Sequence, residues 1–330
     1  LEFLPELRAQ LVEAFMVSAP PFGWVILGIV LRRAGVLSES LITRVSDFAF
    51  KLGLPVMLFA GAAQADYSHL LSSNFLLAGV AATLVTVVLS WWYSRWRRHP
   101  RQLQGIFVQG AYRSNLALLG VALAVSAYGE RGAVLVALPV AIMTILYNVL
   151  AVWVLTTTLG GSSRSVMSVI SSILRNPLII GISCGVALAV SALPVPEFIK
   201  PLGTGTALIF LPITLVCIGG SMNFSTLGAA GVIAWEATIW RLCLAPALGT
   251  ALALALGVQG EQLGVLFLLL ASPVAAASFV MVVAEKGDRV LAANIVVLTT
   301  LLSIFTVTAG FFVLSAFGLV GDTGAVAGPG

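Results

Sequence analysis

Two short polar interruptions sit inside long apolar stretches, and they hold the residues best suited to chemistry. The first is Tyr112-Arg113-Ser114-Asn115, followed by Gly120. The second is Ala271-Ser272-Pro273, followed by small residues as far as Ser278. Pro273 removes a backbone donor and forbids a regular helix around it. Ser114 and Asn115 can bind backbone groups freed by such a break, or a ligand. Arg113 offers a planar fork that makes paired hydrogen bonds to a carboxylate. If the two segments cross at their breaks, half-helix N-termini add partial positive charge there. These types and spacings suggest binding of a small anion by Arg113, Ser114, Asn115, Ser272 and Pro273. The alternative is a proline kink packed by small residues, with Arg113 capping carbonyls, and for Arg113 both remain open.

The other charges inside apolar stretches have plainer roles. Asp47 and Lys51 lie four apart, share a helix face and can pair. Glu236 and Arg241 are five apart, about 140° around a helix, a poor intrahelical pair. Arg241 is therefore expected to meet another helix or backbone carbonyls, and Glu236 to lie near the membrane interface. Glu285 and Lys286 adjoin a loop, where solvation is the default. Asp47, Glu236 and Glu285 are the candidates if a titrating carboxylate couples to protons. Cys184, Cys217 and Cys243 lie in apolar stretches and read as small buried hydrophobes. His69 and His99 sit in predicted loops far from any cysteine, so no metal site is expected. No Ser-His-Asp set, phosphate loop or zinc motif is present, so neither an enzyme nor a cofactor is expected, nor an ATP-driven process.

The elements that must hold these residues follow from composition. Of 330 residues, 59% are hydrophobic and only 9% charged, where a soluble domain carries about 25% charged residues. Mean hydropathy is +1.07. This excludes a soluble enzyme, a disulfide scaffold and a nucleic-acid-binding domain, and points to an integral, all-α polytopic membrane protein. A helix needs about 20 apolar residues to cross the hydrocarbon core. Ten stretches qualify, near 11–31, 41–63, 74–95, 103–127, 132–156, 173–193, 201–221, 230–256, 261–284 and 289–318. The first runs past Pro20 and Pro21 with no small-residue cleavage site, so a span is expected rather than a cleaved leader. Odd-numbered loops hold eleven basic residues, among them Arg32, Arg33, Arg95, Arg97, Arg98, Arg164 and Lys286. Even-numbered loops hold Arg131 and Lys200. The positive-inside rule then puts the odd loops in the cytoplasm and both termini outside. Trp91, Trp92 and Trp96 with Arg95, Arg97 and Arg98 form an interfacial anchor, able to meet anionic membrane lipid.

The chain also repeats itself. Leu54-Pro55, Leu58, Asp66-Tyr67-Ser68 and Leu70 match Leu211-Pro212, Leu215, Asn223-Phe224-Ser225 and Leu227 at an offset of 157. Pro21 pairs with Pro177, Gly105 with Gly264, and Gly129-Glu130-Arg131 with Gly287-Asp288-Arg289. Residues 1–156 form a first five-span repeat and 157–172 a cytoplasmic connecting loop. Residues 173–320 form a second repeat, and 321–330 a disordered tail. Because five is odd, the second half enters the membrane in the opposite sense. Such inverted repeats characterise secondary transporters, with the substrate at matched broken helices, here the fourth and ninth spans.

Longer runs resemble a known family, the bacterial branch of the auxin efflux carriers. Leu174-Arg175-Asn176-Pro177-Leu178-Ile179 resembles the start of that family's sixth span. Ala271-Ser272-Pro273-Val274-Ala275-Ala276-Ala277-Ser278-Phe279, with Ala284-Glu285-Lys286-Gly287, resembles its ninth. Arg113-Ser114-Asn115 with Gly120 resembles its fourth, and Arg241-Leu242 with Pro246 its eighth. The resemblance implies ten spans in two inverted repeats. It implies a scaffold of spans 1, 2, 6 and 7 beside a transport part of spans 3–5 and 8–10. Spans 4 and 9 would cross at the substrate, with an elevator-like movement and a scaffold-mediated homodimer in a bacterial inner membrane. It implies auxin-like or malonate-like carboxylate substrates. The bile acid:sodium symporters share the architecture. The fourth span departs from the family, with Ser114 and Ala122 where the plant carriers have proline, which leaves open how far this span unwinds. The alternatives are a sodium-coupled organic-anion symporter and a membrane sensor that binds without transporting.

Overall fold

The computed structural model of the chain describes residues 3–64, 74–159, 167, 170–171, 174–191, 193–225, 227–229, 231–321 and 323. Asp66-Tyr67-Ser68, His69 and Leu70, most of the connecting loop including Arg164, and residues 322 and 324–330 of the tail lie outside the described residues.

Among the described residues the fold is helical throughout, with a single isolated β-bridge between Ser114 and Val274. Helix α1 covers Phe3–Arg33. Helix α2 (Glu39–Phe48) opens on Ser38, whose hydroxyl accepts from the Leu41 amide at 3.2 Å. It runs through a π turn at Ala49–Gly53 into α3 (Leu54–Ala63). Then follow α4 (Asn74–Trp96), α5 (Arg101–Tyr112) and, beyond a π turn at Leu116–Gly120, α6 (Val121–Leu159). The second half brings α7 (Pro177–Val190), α8 (Ile199–Ser221), α9 (Val232–Ile239), a π turn at Trp240–Leu244 and α10 (Ala245–Ala255). It ends with α11 (Gly260–Ala271), α12 (Ala276–Ala284) and α13 (Arg289–Ala316).

Among the described residues seven segments are long and apolar enough to cross a membrane, against the ten expected. The difference has physical causes. Leu116–Leu159 is one run that holds the end of the predicted fourth span and all of the fifth. It turns at Gly129, whose φ of 56° and ψ of −131° are not helical. Glycine reaches positive φ without steric cost. The predicted ninth span is split at Ser272–Ala275 into α11 and α12. The predicted sixth is 14 residues long in α7, capped by Asn176 with Pro177 at its first position. Pro55 and Pro212 behave differently from each other. Pro55 follows a π turn, whereas Pro212 lies inside an unbroken α8.

Packing is reciprocal between the halves. Helix α1 lies along α8 and α3 lies along α7. Contact is backbone-close at the first pair. A Cβ on Gly28 would stand 2.0 Å from the Val216 carbonyl oxygen, and one on Gly219 would stand 1.9 Å from that of Val25. Large apolar side chains such as Val88, Phe305 and Trp92 are exposed, as lipid-facing surfaces require. Cys217 is buried, but Cys184 and Cys243 are exposed. That corrects the expectation that all three are buried, because in lipid a small apolar side chain can equally face outward.

Candidate functional site

The two interruptions meet. After Tyr112 the chain leaves the helix, with Arg113 at φ −82° and ψ 90°. After Ala271 it leaves the helix again, with Ser272 at φ −62° and ψ 147°. The extended segments cross antiparallel. The Asn115 amide donates to the Pro273 carbonyl at 2.7 Å, and the Ala275 amide donates to the Arg113 carbonyl at 3.3 Å. Buried backbone groups left by a broken helix need partners, and here each break supplies partners to the other. The fourth span is thus fully interrupted although it has no proline there.

Side chains from neighbouring helices complete the accounting. Arg241 is fully buried on the π turn before α10. Its Nη1 donates to the Tyr112 carbonyl at 2.5 Å and reaches the Ala111 carbonyl at 3.4 Å. It meets carbonyls at a helix C-terminus, where a cation is favoured by the helix dipole. On the other side the Val274 amide donates to Thr299 Oγ1 at 3.2 Å, on α13. Each break also leans on a further helix: the first on α6, through Tyr147 and Asn148, and the second on α13.

Arg113 is buried, at 7% exposure. Its Nη1 donates to the Tyr147 carbonyl at 3.2 Å and its Nη2 to Asn148 Oδ1 at 2.9 Å. The Tyr112 hydroxyl donates to the same Tyr147 carbonyl at 3.2 Å, and the Tyr147 hydroxyl pairs with Ser114 Oγ at 2.9 Å. The two tyrosine rings meet edge to face, with centroids 5.5 Å apart. Ser272 turns its hydroxyl to its own helix, onto the Leu269 carbonyl at 2.8 Å. The Asn115 carboxamide is buried and makes no hydrogen bond with the described residues.

Arg113 opens onto a cavity of about 730 Å³. Asn148, Leu118, Val152 and Thr214 line it, as do Ala276 and Ala277 of the first turn of α12. Helix amides in a first turn lack intrahelical acceptors. Asp47 also lines it, but its carboxylate stands 2.9 Å from Lys51 Nζ. A second cavity, of about 770 Å³, takes the opposite ends of the same helices. Met57 and Gly61 of α3, Ala122 and Ser126 of α6, and Leu208 and Leu211 of α8 line it. The ion pairs Lys200–Glu130 (2.8 Å) and Arg131–Glu261 (2.9 Å) stand at its rim.

The remaining sequence candidates lie apart. Glu236 lines neither cavity. It pairs with Arg97 at 2.7 Å and with His99 Nε2 at 2.7 Å, and the His99 Nδ1 meets Ser94 Oγ at 3.1 Å. Its carboxylate, hydrogen-bonded to Arg97, holds that guanidinium above the usual arginine range. Glu285 closes α12 and is half-buried at the loop. Among the described residues no group of three or more His, Cys, Asp or Glu side chains gathers. Tyr147 and Asn148 were not singled out from the sequence. The available signal was a tyrosine-asparagine pair in the middle of an otherwise apolar predicted fifth span.

The model of the family described as membrane transport protein matches residues 15–310. No curated protein matches the chain.

Proposed function

The chain belongs to the auxin efflux carrier family of membrane transport proteins, and from that premise we propose that it is a secondary transporter of small organic anions. The observation that carries the anion is Arg113. A buried guanidinium held by two neutral acceptors faces a cavity whose one lining carboxylate among the described residues already has a partner. Buried charges are paired as a rule, so such a cavity favours an anion. A carboxylate would take the guanidinium and the amides of Ala276 and Ala277 in the first turn of α12. Leu118 and Val152 would hold its apolar part. Asn115, Ser114, Ser272 and Pro273 shape the crossing rather than the cavity wall, with the unbonded Asn115 carboxamide the one able to reach a ligand.

Two inverted five-span repeats with crossover spans 4 and 9 fit the crossed breaks and the reciprocal packing of α1 on α8 and α3 on α7. An elevator-type movement fits the pair of cavities at opposite ends of the same helices. A scaffold-mediated homodimer in a bacterial inner membrane, with both termini outside, completes the proposal. A mono-anion moving alone would be driven outward by about 2.3 kcal/mol per 100 mV of inside-negative potential.

The test is charge movement in proteoliposomes without a sodium or pH gradient, with malonate and indole-3-acetate among the anions applied. The expected result is a saturable current that Arg113→Ala weakens by roughly 100-fold in apparent affinity, the scale for truncating one partner of a buried charge pair. Asn115→Ala should lower flux and leave the oligomer intact. Unchanged affinity in Arg113→Ala would remove that residue from the site. A current that appears only with sodium would favour the sodium-coupled alternative. Binding without any flux would favour a sensor.

A further inference from the structure

Asn148 has a second consequence for the cavity, which rests on the anion proposal above. Arginine is a donor only. The Asn148 oxygen must therefore face the guanidinium, at 2.9 Å from Nη2. Its amide nitrogen is left as a donor, and it makes no hydrogen bond with the described residues. The other acceptor on Arg113 is the neutral Tyr147 carbonyl. Asp47 on the cavity wall is occupied by Lys51. A carboxylate at position 148 would have the same shape as the carboxamide and would cancel the guanidinium charge.

We propose that Asn148 is the specificity-determining residue of the cavity. Its carbonyl oxygen fixes the Arg113 fork in place without neutralising it, and its amide nitrogen gives a second donor to the same substrate carboxylate. The residue thereby sets the preference for an anion over a neutral molecule of equal size.

The experiment measures binding to the purified full chain by calorimetry. The probes are malonate, indole-3-acetate and the neutral indole-3-acetamide. Wild type should bind at least one carboxylate and bind the amide weakly. Asn148→Asp should lose about 100-fold in carboxylate affinity and none for the amide, since it supplies the counter-charge internally. Asn148→Ala removes the acceptor and the donor without adding charge, and should lose about tenfold for the carboxylate alone. In the absence of any probe, Asn148→Asp should raise the melting temperature, and that rise should vanish when Arg113→Met is added. If Asn148→Asp fails to fold, the Asn148→Ala result decides. Carboxylate affinity within threefold of wild type in either variant overturns the assignment alone. An equal loss for the carboxylate and the amide also overturns it, because that is a merely structural effect. Wild type that binds none of the carboxylates overturns the anion proposal and this assignment with it.

Discussion

The two breaks that cross at the centre of the molecule solve one problem in different ways. At Ser272–Ala275 the helix is stopped by Pro273, and the orphaned Val274 amide goes to Thr299. At Arg113–Asn115 no proline is present. There the freed carbonyls of Ala111 and Tyr112 are met by Arg241, and Arg113 is tied to α6. One break is made by removing a donor, and the other by supplying donors. The second solution places two arginines beside the crossing, one fully buried and one facing the cavity. A proline kink leaves a site electrically neutral. Arginine support leaves it positive, so the difference bears on what the site can hold as well as on how it is built.

The first break is most readily undone at Arg241. Arg241→Ala leaves two buried carbonyls short of a donor and opens a cavity. An unsatisfied buried group costs about 1–3 kcal/mol, and a large-to-small change in a core adds to it. Removing the buried charge offsets part of this, so a net loss of roughly 2–4 kcal/mol is expected. Thermal unfolding of the purified protein measures it. Anion affinity should fall as well, because Arg113 follows Tyr112 directly in the chain. Stability unchanged from wild type would mean that the antiparallel bridge alone holds the first break.

The opposite break should be more forgiving. Thr299→Val keeps the packing and removes one acceptor, leaving the Val274 amide without a partner. The expected cost is about 1–2 kcal/mol, smaller than for Arg241 because one group is orphaned instead of two. Amide hydrogen exchange at Val274 should quicken in this variant, while exchange at Asn115, bonded to Pro273, should change less. Equal acceleration at both would show that the two breaks open as one unit.

Much of this arrangement was legible in advance, and the part that was not has a common cause. Helix positions followed from apolar run length, so the predicted third span, 74–95, differs from α4 by one residue. Pro273 announced its break because proline acts through its own backbone. Asp47 and Lys51 announced their pair because helical spacing alone brings them together. Tyr147 and Asn148 were hidden, because their importance depends on which helix α6 meets, and no local pattern encodes that. Arg241 was half legible: its poor spacing from Glu236 sent it to another helix or to carbonyls, but not to a particular pair of them. His99, itself buried, likewise gained its partner Glu236 from a distance of 137 residues along the chain. Gly105 and Gly264, matched by the repeat, both stand at close approaches. A Cβ on the first would lie 2.6 Å from the Val154 carbonyl oxygen, and one on the second 1.8 Å from the Tyr128 hydroxyl. Repetition found the positions, and only packing explains why they are glycine.

Pro273 itself should matter less to stability than Arg241, although it is the residue that stops its helix. The hydrogen bonds that hold the crossing use the Pro273 carbonyl and the amides of Asn115 and Ala275, and none of them involves the nitrogen that proline lacks. Pro273→Ala keeps all three groups. It adds one buried amide, which costs about 1 kcal/mol where it finds no partner, and it gives the unfolded chain more freedom, an effect of about 0.4–1 kcal/mol. A melting temperature modestly below wild type is therefore expected, with Arg241→Ala lower still. If Pro273→Ala instead destabilised the protein as much as Arg241→Ala, the second break would be held by the proline ring and the bridge would be its consequence. The two breaks would then differ in what maintains them as well as in what makes them.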